Sequence, residues 1–175
     1  MKSVFESMRD EFADLYKNYR ISHFSMIVMK EIYAENMAIH KIDSFVIQDE
    51  DLDERIDFTT EDIEGCKENG KYQRVLAGTT LAVIYQLWEE KFRPEIANKY
   101  QLLRNDVKSD FFGDLRHVRQ AIIHNNLQPI SDLKKLKTLQ FLGNETQLNL
   151  SSPEISQVYL FLTREIDRLE VVFSA

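Results

Sequence analysis

Apolar residues recur at helical spacing through the N-terminal helical region of the chain, residues 1–41. They fall mostly three or four positions apart, at Phe5, Met8, Phe12, Leu15, Tyr19, Ile21, Phe24, Val28, Ile32 and Ile39. This period is typical of an amphipathic helix. Ser3 and Glu6 have the spacing of a capping box, and neither glycine nor proline occurs before residue 65. The pattern predicts one long helix, or two helices joined by a short link, over about residues 4–41.

The next segment, residues 42–70, has no sustained period and predicts a long connection with one short helix after Thr59-Thr60. Within it, residues 49–64 contain nine acidic residues and one arginine, a net charge of −8. Because the whole chain carries −7, everything outside this acidic strip sums to +1. Charge runs are common on solvated loops, which is one interpretation of the strip. Residues 71–140 carry +5, so a phosphate-bearing ligand is compatible with the chain despite its negative total.

Residues 71–92 are apolar on almost every side of the helical period, which predicts a central helix that is buried all round. Arg93-Pro94 is expected to end this helix, because proline disfavours the helical conformation in the residue before it. Pro94 is also suited to the first position of a new helix, predicted over residues 94–103. After a short turn, a further helix is predicted over residues 110–124, and Asn125-Asn126 is expected to form its left-handed cap.

The last third of the chain combines a strand-like pattern with a helical one. Residues 138–150 alternate apolar and polar positions on each side of Gly143-Asn144, which predicts a small β-hairpin. Ser152-Pro153-Glu154 is a capping sequence with proline at the first helical position, and an apolar stripe follows it. The predicted fold class is mainly α, with a small β-hairpin before the C-terminal helix. At 175 residues, the chain has the size of a single domain, residues 1–175.

Composition restricts the class of protein further. With 43% hydrophobic and 29% charged residues, the chain is globular rather than disordered. Its single cysteine, Cys66, cannot form an internal disulfide or a multi-cysteine zinc site, and we expect a reducing, cytoplasmic location. No apolar stretch approaches the ~20 residues that span a bilayer, and the first residues lack the pattern of a signal peptide. We therefore expect no membrane association.

The common catalytic motifs are absent from the sequence. It contains no glycine-rich phosphate loop, no His-Glu-x-x-His and no Gly-x-Ser-x-Gly. His23 and His40 lie in or near the first helical region, and we expect them to be partly exposed helix residues. His117 and His124 differ, because the predicted helix that carries them also carries two arginines.

Helical angles divide that helix into two faces. At about 100° per residue, one side groups the apolar residues Phe111, Leu115, Val118 and Ile122, which are predicted to face the core. The opposite side groups the polar residues Arg116, His117, Gln120 and His124. Arg119 falls on the border, about 140° from His124. Spacing alone is compatible either with a solvent-exposed face or with a site that binds an anion.

Arg119-Gln-Ala-Ile-Ile-His124 matches the Arg-x4-His signature of HEPN (higher eukaryote and prokaryote nucleotide-binding) domains, and the chain resembles that family. The context GDLRHVRQAIIHNN, residues 113–126, strengthens the match. Residues 85–93 resemble the helix before the motif helix in several prokaryotic HEPN subfamilies, and the hairpin after Pro129 resembles their downstream extension. The resemblance covers about residues 70–150.

The resemblance implies an up-and-down helical bundle, with residues 71–175 as its motif-bearing part, that forms a homodimer around a cleft between two motif helices. Active members are metal-independent endoribonucleases without a cofactor, often toxins or abortive-infection effectors. By this resemblance His124 is the acid/base residue and Arg119 the phosphate contact. Arg116, Gln120 and Asn125 are the expected substrate-binding residues; Gln120 replaces the Asn, Asp or His usual in the family.

The resemblance also implies partners, and it leaves alternatives. RNA is the expected substrate, and an antitoxin or a nucleotidyltransferase is the expected protein partner of a toxin-like member. One alternative is a HEPN-like interaction or RNA-binding domain without catalysis. Another is an unrelated all-α protein in which the arginines and histidines are ordinary surface residues.

Overall fold

The computed structural model describes residues 2–51 and 53–174, and this part of the chain is mainly α-helical, as predicted. The helices are α1 Val4–His40, α2 Thr60–Gly65, α3 Lys71–Leu87, α4 Arg93–Lys99, α5 Asp110–His124 and α6 Ser152–Ser174. Two antiparallel hairpins pair β1 Ser44–Asp49 with β2 Glu54–Thr59, and β3 Gly143–Asn144 with β4 Gln147–Leu148. None of the helices described here has the length and apolar character to cross a membrane.

Helix α1 is one unbroken helix, which confirms the predicted span. Its capping box is formed, because the Glu6 N–H donates to Ser3 Oγ and the Glu6 carboxylate accepts from the Ser3 N–H. The first half packs on α6, where the Arg9 guanidinium pairs with two carboxylates and the Tyr16 hydroxyl donates to Ser156 Oγ at 2.9 Å. Farther along, an apolar stripe on α1 stays about half exposed; it consists of Ile21, Phe24, Val28 and Ile32.

The expectation that His23 is partly exposed is wrong. Its ring is 3% exposed, with Nδ1 2.7 Å from Gln73 Oε1 and Nε2 3.4 Å from a Glu68 carboxylate oxygen. The Gln73 side chain also donates to two backbone carbonyls, those of His23 and Cys66. The histidine therefore joins α1 to the start of α3. His40 is exposed at the end of α1, as expected.

The acidic connection over 42–70 is not an irregular loop, because most of it forms the β1–β2 hairpin. Its strands pair Phe45 with Phe58 and Ile47 with Ile56 on one face, and Phe45 stacks on Tyr33 of α1 with ring centroids 4.3 Å apart. The short helix predicted after Thr59-Thr60 is confirmed as α2. Leu52, in the acidic strip, lies outside the described residues.

Arg93-Pro94 does not end the central helix. A π-helical turn, Trp88–Phe92, joins α3 to α4 with the backbone still in the right-handed helical region. In this turn the Arg93 N–H donates to the carbonyl of Trp88, five residues back, so the helical path accommodates the proline. Helix α4 ends at Lys99, earlier than the predicted residue 103.

Helix α5 packs its predicted core face into the bundle. Phe111, Leu115, Val118 and Ile122 are all buried, and Phe112 stacks on Trp88 with centroids 4.0 Å apart. Asp114, also buried, accepts hydrogen bonds from the backbone N–H groups of residues 137, 138 and 139. This contact fastens the segment before the second hairpin to α5. That hairpin is confirmed near its predicted place, although residues 143–144 form its first strand rather than its turn.

Candidate functional site on helix α5

Helix α5 has a defined beginning and a defined end. Ser109 caps the first turn, because its hydroxyl accepts from the Phe112 N–H at 3.1 Å. At the other end Asn126 and Leu127 have positive φ values of 50° and 61°. The Leu127 N–H donates to the carbonyl of Ile122, a bond that closes the helix. The left-handed cap is therefore formed by residues 126–127, one position later than the predicted Asn125-Asn126.

Arg119 lies at the border of the buried face, as its helical angle predicts. Its side chain is partly exposed, and the guanidinium carbon lies 5.8 Å from the centroid of the Tyr85 ring on α3. Arg116, one turn earlier, is exposed. Neither arginine makes a hydrogen bond or an ion pair with any residue that the structure describes, whereas Arg9, Arg93 and Arg168 each bind a carboxylate.

His124 is the last residue of α5 and is exposed. Within the described chain its imidazole has no hydrogen-bond or ion-pair partner. Gln120 lies one turn before His124 and is partly exposed. The structure therefore brings Arg116, Gln120 and His124 to one open face of α5, with Arg119 beside it.

Asn125 and His117 are engaged elsewhere. The Asn125 side-chain amide donates to the carbonyls of Gln128 and Pro129, at 3.3 and 2.9 Å, so it shapes the turn after α5. His117 is partly buried, and its Nδ1 lies 3.5 Å from an Asp132 carboxylate oxygen without hydrogen-bond alignment. Both side chains therefore contact residues of the segment that follows α5.

No protein-family model, curated protein or solved structure matches the chain. Among the described residues, no three His, Cys, Asp or Glu side chains are grouped so that they could hold a metal ion.

Sequence reasoning missed Tyr85 as a neighbour of the motif. Burial raises the pKa of its phenol, and the nearby Glu89 carboxylate raises it further, while the guanidinium groups of Arg116 and Arg119 lower it. The phenol is thus protonated at neutral pH, and its hydroxyl has no hydrogen-bond partner in the described structure. The only sequence signal was its place in residues 85–93, the segment that resembles the helix before the HEPN motif.

Proposed function

We propose that the chain is a HEPN-like, metal-independent endoribonuclease that acts at the open face of α5, in an up-and-down bundle of that family. The observation that carries the proposal is the set of unpaired side chains on this helix. Arg116 and Arg119, one turn apart, have no acidic partner among the residues that the structure describes, and an exposed histidine follows on the same helix. In a chain with more acidic than basic residues, unpaired arginines are suited to an anion from outside.

The chemistry requires one base, one acid and a phosphate contact. A neutral His124 would remove the proton from a ribose 2′-hydroxyl, and the resulting oxygen would attack the adjacent phosphorus. The bond to the 5′-oxygen would break, and that oxygen would take a proton from a second imidazolium. Arg119 would hold the phosphate oxygens as negative charge builds on them, and Arg116 would add attraction for the strand.

The second imidazolium is the reason to propose a homodimer. A two-fold axis beside α5 would bring the partner's copy of the motif across the cleft, so that one chain needs only one histidine. Two exposed apolar side chains beside the motif, Val75 and Ile123, line one pocket with Ile122 and support such a contact. Light scattering at micromolar concentration should give twice the chain mass of 20.7 kDa, and a monomer alone would contradict the shared cleft.

A second candidate function is a HEPN-like interaction or RNA-binding domain without catalysis. It is favoured by the position of Arg119, whose guanidinium already lies over an aromatic ring, and by the absence of a second acid/base group beside His124 in the described monomer. Under either function, we also propose that the protein is cytoplasmic and has an antitoxin or a nucleotidyltransferase as its partner.

Substitution of His124 and Arg119 tests the proposal. His124→Ala should lower RNA cleavage by about 10²–10⁴-fold, the usual contribution of an acid/base group, and should leave unfolding unchanged because the side chain is exposed. Arg119→Ala should also lose cleavage. His40→Ala is the matched histidine control, since His40 is likewise exposed in the last turn of a helix. Arg164→Ala matches Arg119, because its guanidinium also lies over a ring without an ion pair in the described chain.

Both controls should cleave RNA at the wild-type rate. If the wild type and His124→Ala cleave a mixed RNA pool equally poorly, catalysis is excluded and the binding-domain function takes its place. If His124→Ala unfolds the protein, the histidine is structural and the site is wrong.

A further inference from the structure

A polar cleft opens where the π-helical turn meets the first turns of α5. Its volume is about 570 Å³, within the roughly 300–1,000 Å³ of ordinary ligand pockets. The residues that line it include Tyr85, Glu89, Arg93, Lys108, Gly113 and Arg116. The cleft lies beside the proposed catalytic face, because Arg116 and Arg119 are one helical turn apart.

The acidic groups of the cleft are neutralised within the protein. The Glu89 carboxylate binds Arg93 at 3.0 Å and Arg104 at 2.8 Å. Asp110, at the rim, binds the Lys137 ammonium group at 2.7 Å. Arg116 and Lys108, by contrast, have no acidic partner among the described residues. Within the described part of the chain, the cleft therefore presents Lys108 and Arg116 as cations without an acidic partner.

Gly113 provides an independent observation. It lies in the interior of α5, where glycine is less favourable than alanine by about 1 kcal/mol. A Cβ at this position would have no heavy atom within 4 Å, so packing inside the chain does not require the glycine. Because Gly113 lines the cleft, the missing side chain keeps its wall open.

We propose that this cleft binds one phosphate-bearing nucleotide of an RNA strand, next to the nucleotide that is cleaved at Arg119 and His124. The RNA part of this inference rests on the proposed function. Lys108 and Arg116 bind the phosphate, and the hydroxyl of Tyr85, which also lines the cleft, donates to the nucleotide. A strand that runs along α5 thus occupies the cleft near Gly113 and reaches His124 at the other end of the helix.

Calorimetric titration of His124→Ala with adenosine monophosphate tests the cleft without cleavage. Gly113→Leu should weaken binding at least tenfold because the leucine side chain obstructs the wall of the cleft, and Arg116→Ala and Lys108→Ala should weaken it by removing charge. Arg164→Ala, made in the same background, should bind as the parent does. Gly113→Ala should raise the unfolding midpoint, which shows that a side chain at this position is tolerated by the fold.

The inference is overturned if the nucleotide does not bind, if Gly113→Leu and Arg116→Ala bind it as the parent does, or if inorganic phosphate binds as tightly as the nucleotide. Cleavage distinguishes this inference from the proposed function. With His124 intact, Gly113→Leu should raise KM for RNA with little change in kcat, whereas His124→Ala lowers kcat. If the wild type cleaves no RNA but Gly113→Leu still abolishes nucleotide binding, the proposed ribonuclease function is refuted and the nucleotide site in the cleft is retained.

Discussion

Replacement of Asp114 by asparagine should destabilise the protein strongly. The Asp114 side chain is 3% exposed and accepts from three successive backbone N–H groups, those of Lys137 at 2.9 and 3.0 Å, Thr138 at 2.6 Å and Leu139 at 2.9 Å. Asparagine has nearly the same shape, but one acceptor atom becomes a donor and the charge is lost. Hydrogen bonds to charged groups contribute about 1.5–3 kcal/mol each. Because one amide oxygen can still accept, we expect a loss of about 2–4 kcal/mol in the free energy of unfolding.

That loss is a large part of the roughly 5–15 kcal/mol that stabilises a domain. With a urea dependence of about 2 kcal/mol per molar, the unfolding midpoint by circular dichroism should fall by roughly 1–2 M. Asp110→Asn is the matched control, one turn earlier on α5. Its carboxylate binds the side chain of Lys137 in solvent rather than the backbone, so its removal should leave the midpoint unchanged. Equal midpoints for the two variants would refute the reasoning.

Two further substitutions test the packing of α3 and the acid stability of α2. Gly78→Ala should lower the urea midpoint, because the new Cβ would lie 2.6 Å from Leu127 Cδ2. This overlap outweighs the better helix propensity of alanine, and a midpoint above that of the wild type would contradict the prediction. The pKa of Asp62 is lowered from 3.8 to about 2, first by the hydrogen bond from the Tyr72 hydroxyl and then by those from Thr59. Since the folded-state pKa is the lower one, the stabilisation is complete above about pH 4 and is lost as the pH falls through about 2. Urea midpoints of the wild type and Asp62→Asn should therefore converge over this range, and parallel pH profiles would count against the assignment.

Elements with a long, regular hydrophobic period could be predicted from the sequence. Helix α1 and the core face of α5 have such periods, and both are confirmed. The β1–β2 hairpin was missed because each strand has only two apolar residues on its inner face, and these lie among acidic side chains. Only Phe45 and Phe58 are partly buried, and Phe45 stacks on Tyr33, a residue of another element. The π-helical turn was also missed, since the usual effect of proline on its predecessor predicts a break.

The candidate site, too, could be predicted only in part from the sequence. Helical angles predicted that Arg119 borders the core, and its side chain is indeed partly exposed against α3. Angles on one helix cannot reveal Tyr85, which reaches the motif from α3. Nor can they reveal that Glu89 pairs with Arg93 and Arg104, while Arg116 has no acidic partner within the described chain. Asn125 is expected from the sequence to bind substrate, but its side-chain amide donates to the carbonyls of Gln128 and Pro129 in the turn directly after it.

The contact between α1 and α6 has a consequence for synthesis on the ribosome. Arg9 and Tyr16 emerge early, but their partners on α6, among them Ser156, are translated about 140 residues later. At roughly 5–20 residues per second, this delay is on the order of ten seconds. During that time the apolar face of α1 lacks the α6 side chains that cover it in the finished fold. The nascent chain should therefore be a better chaperone substrate before α6 emerges than after it.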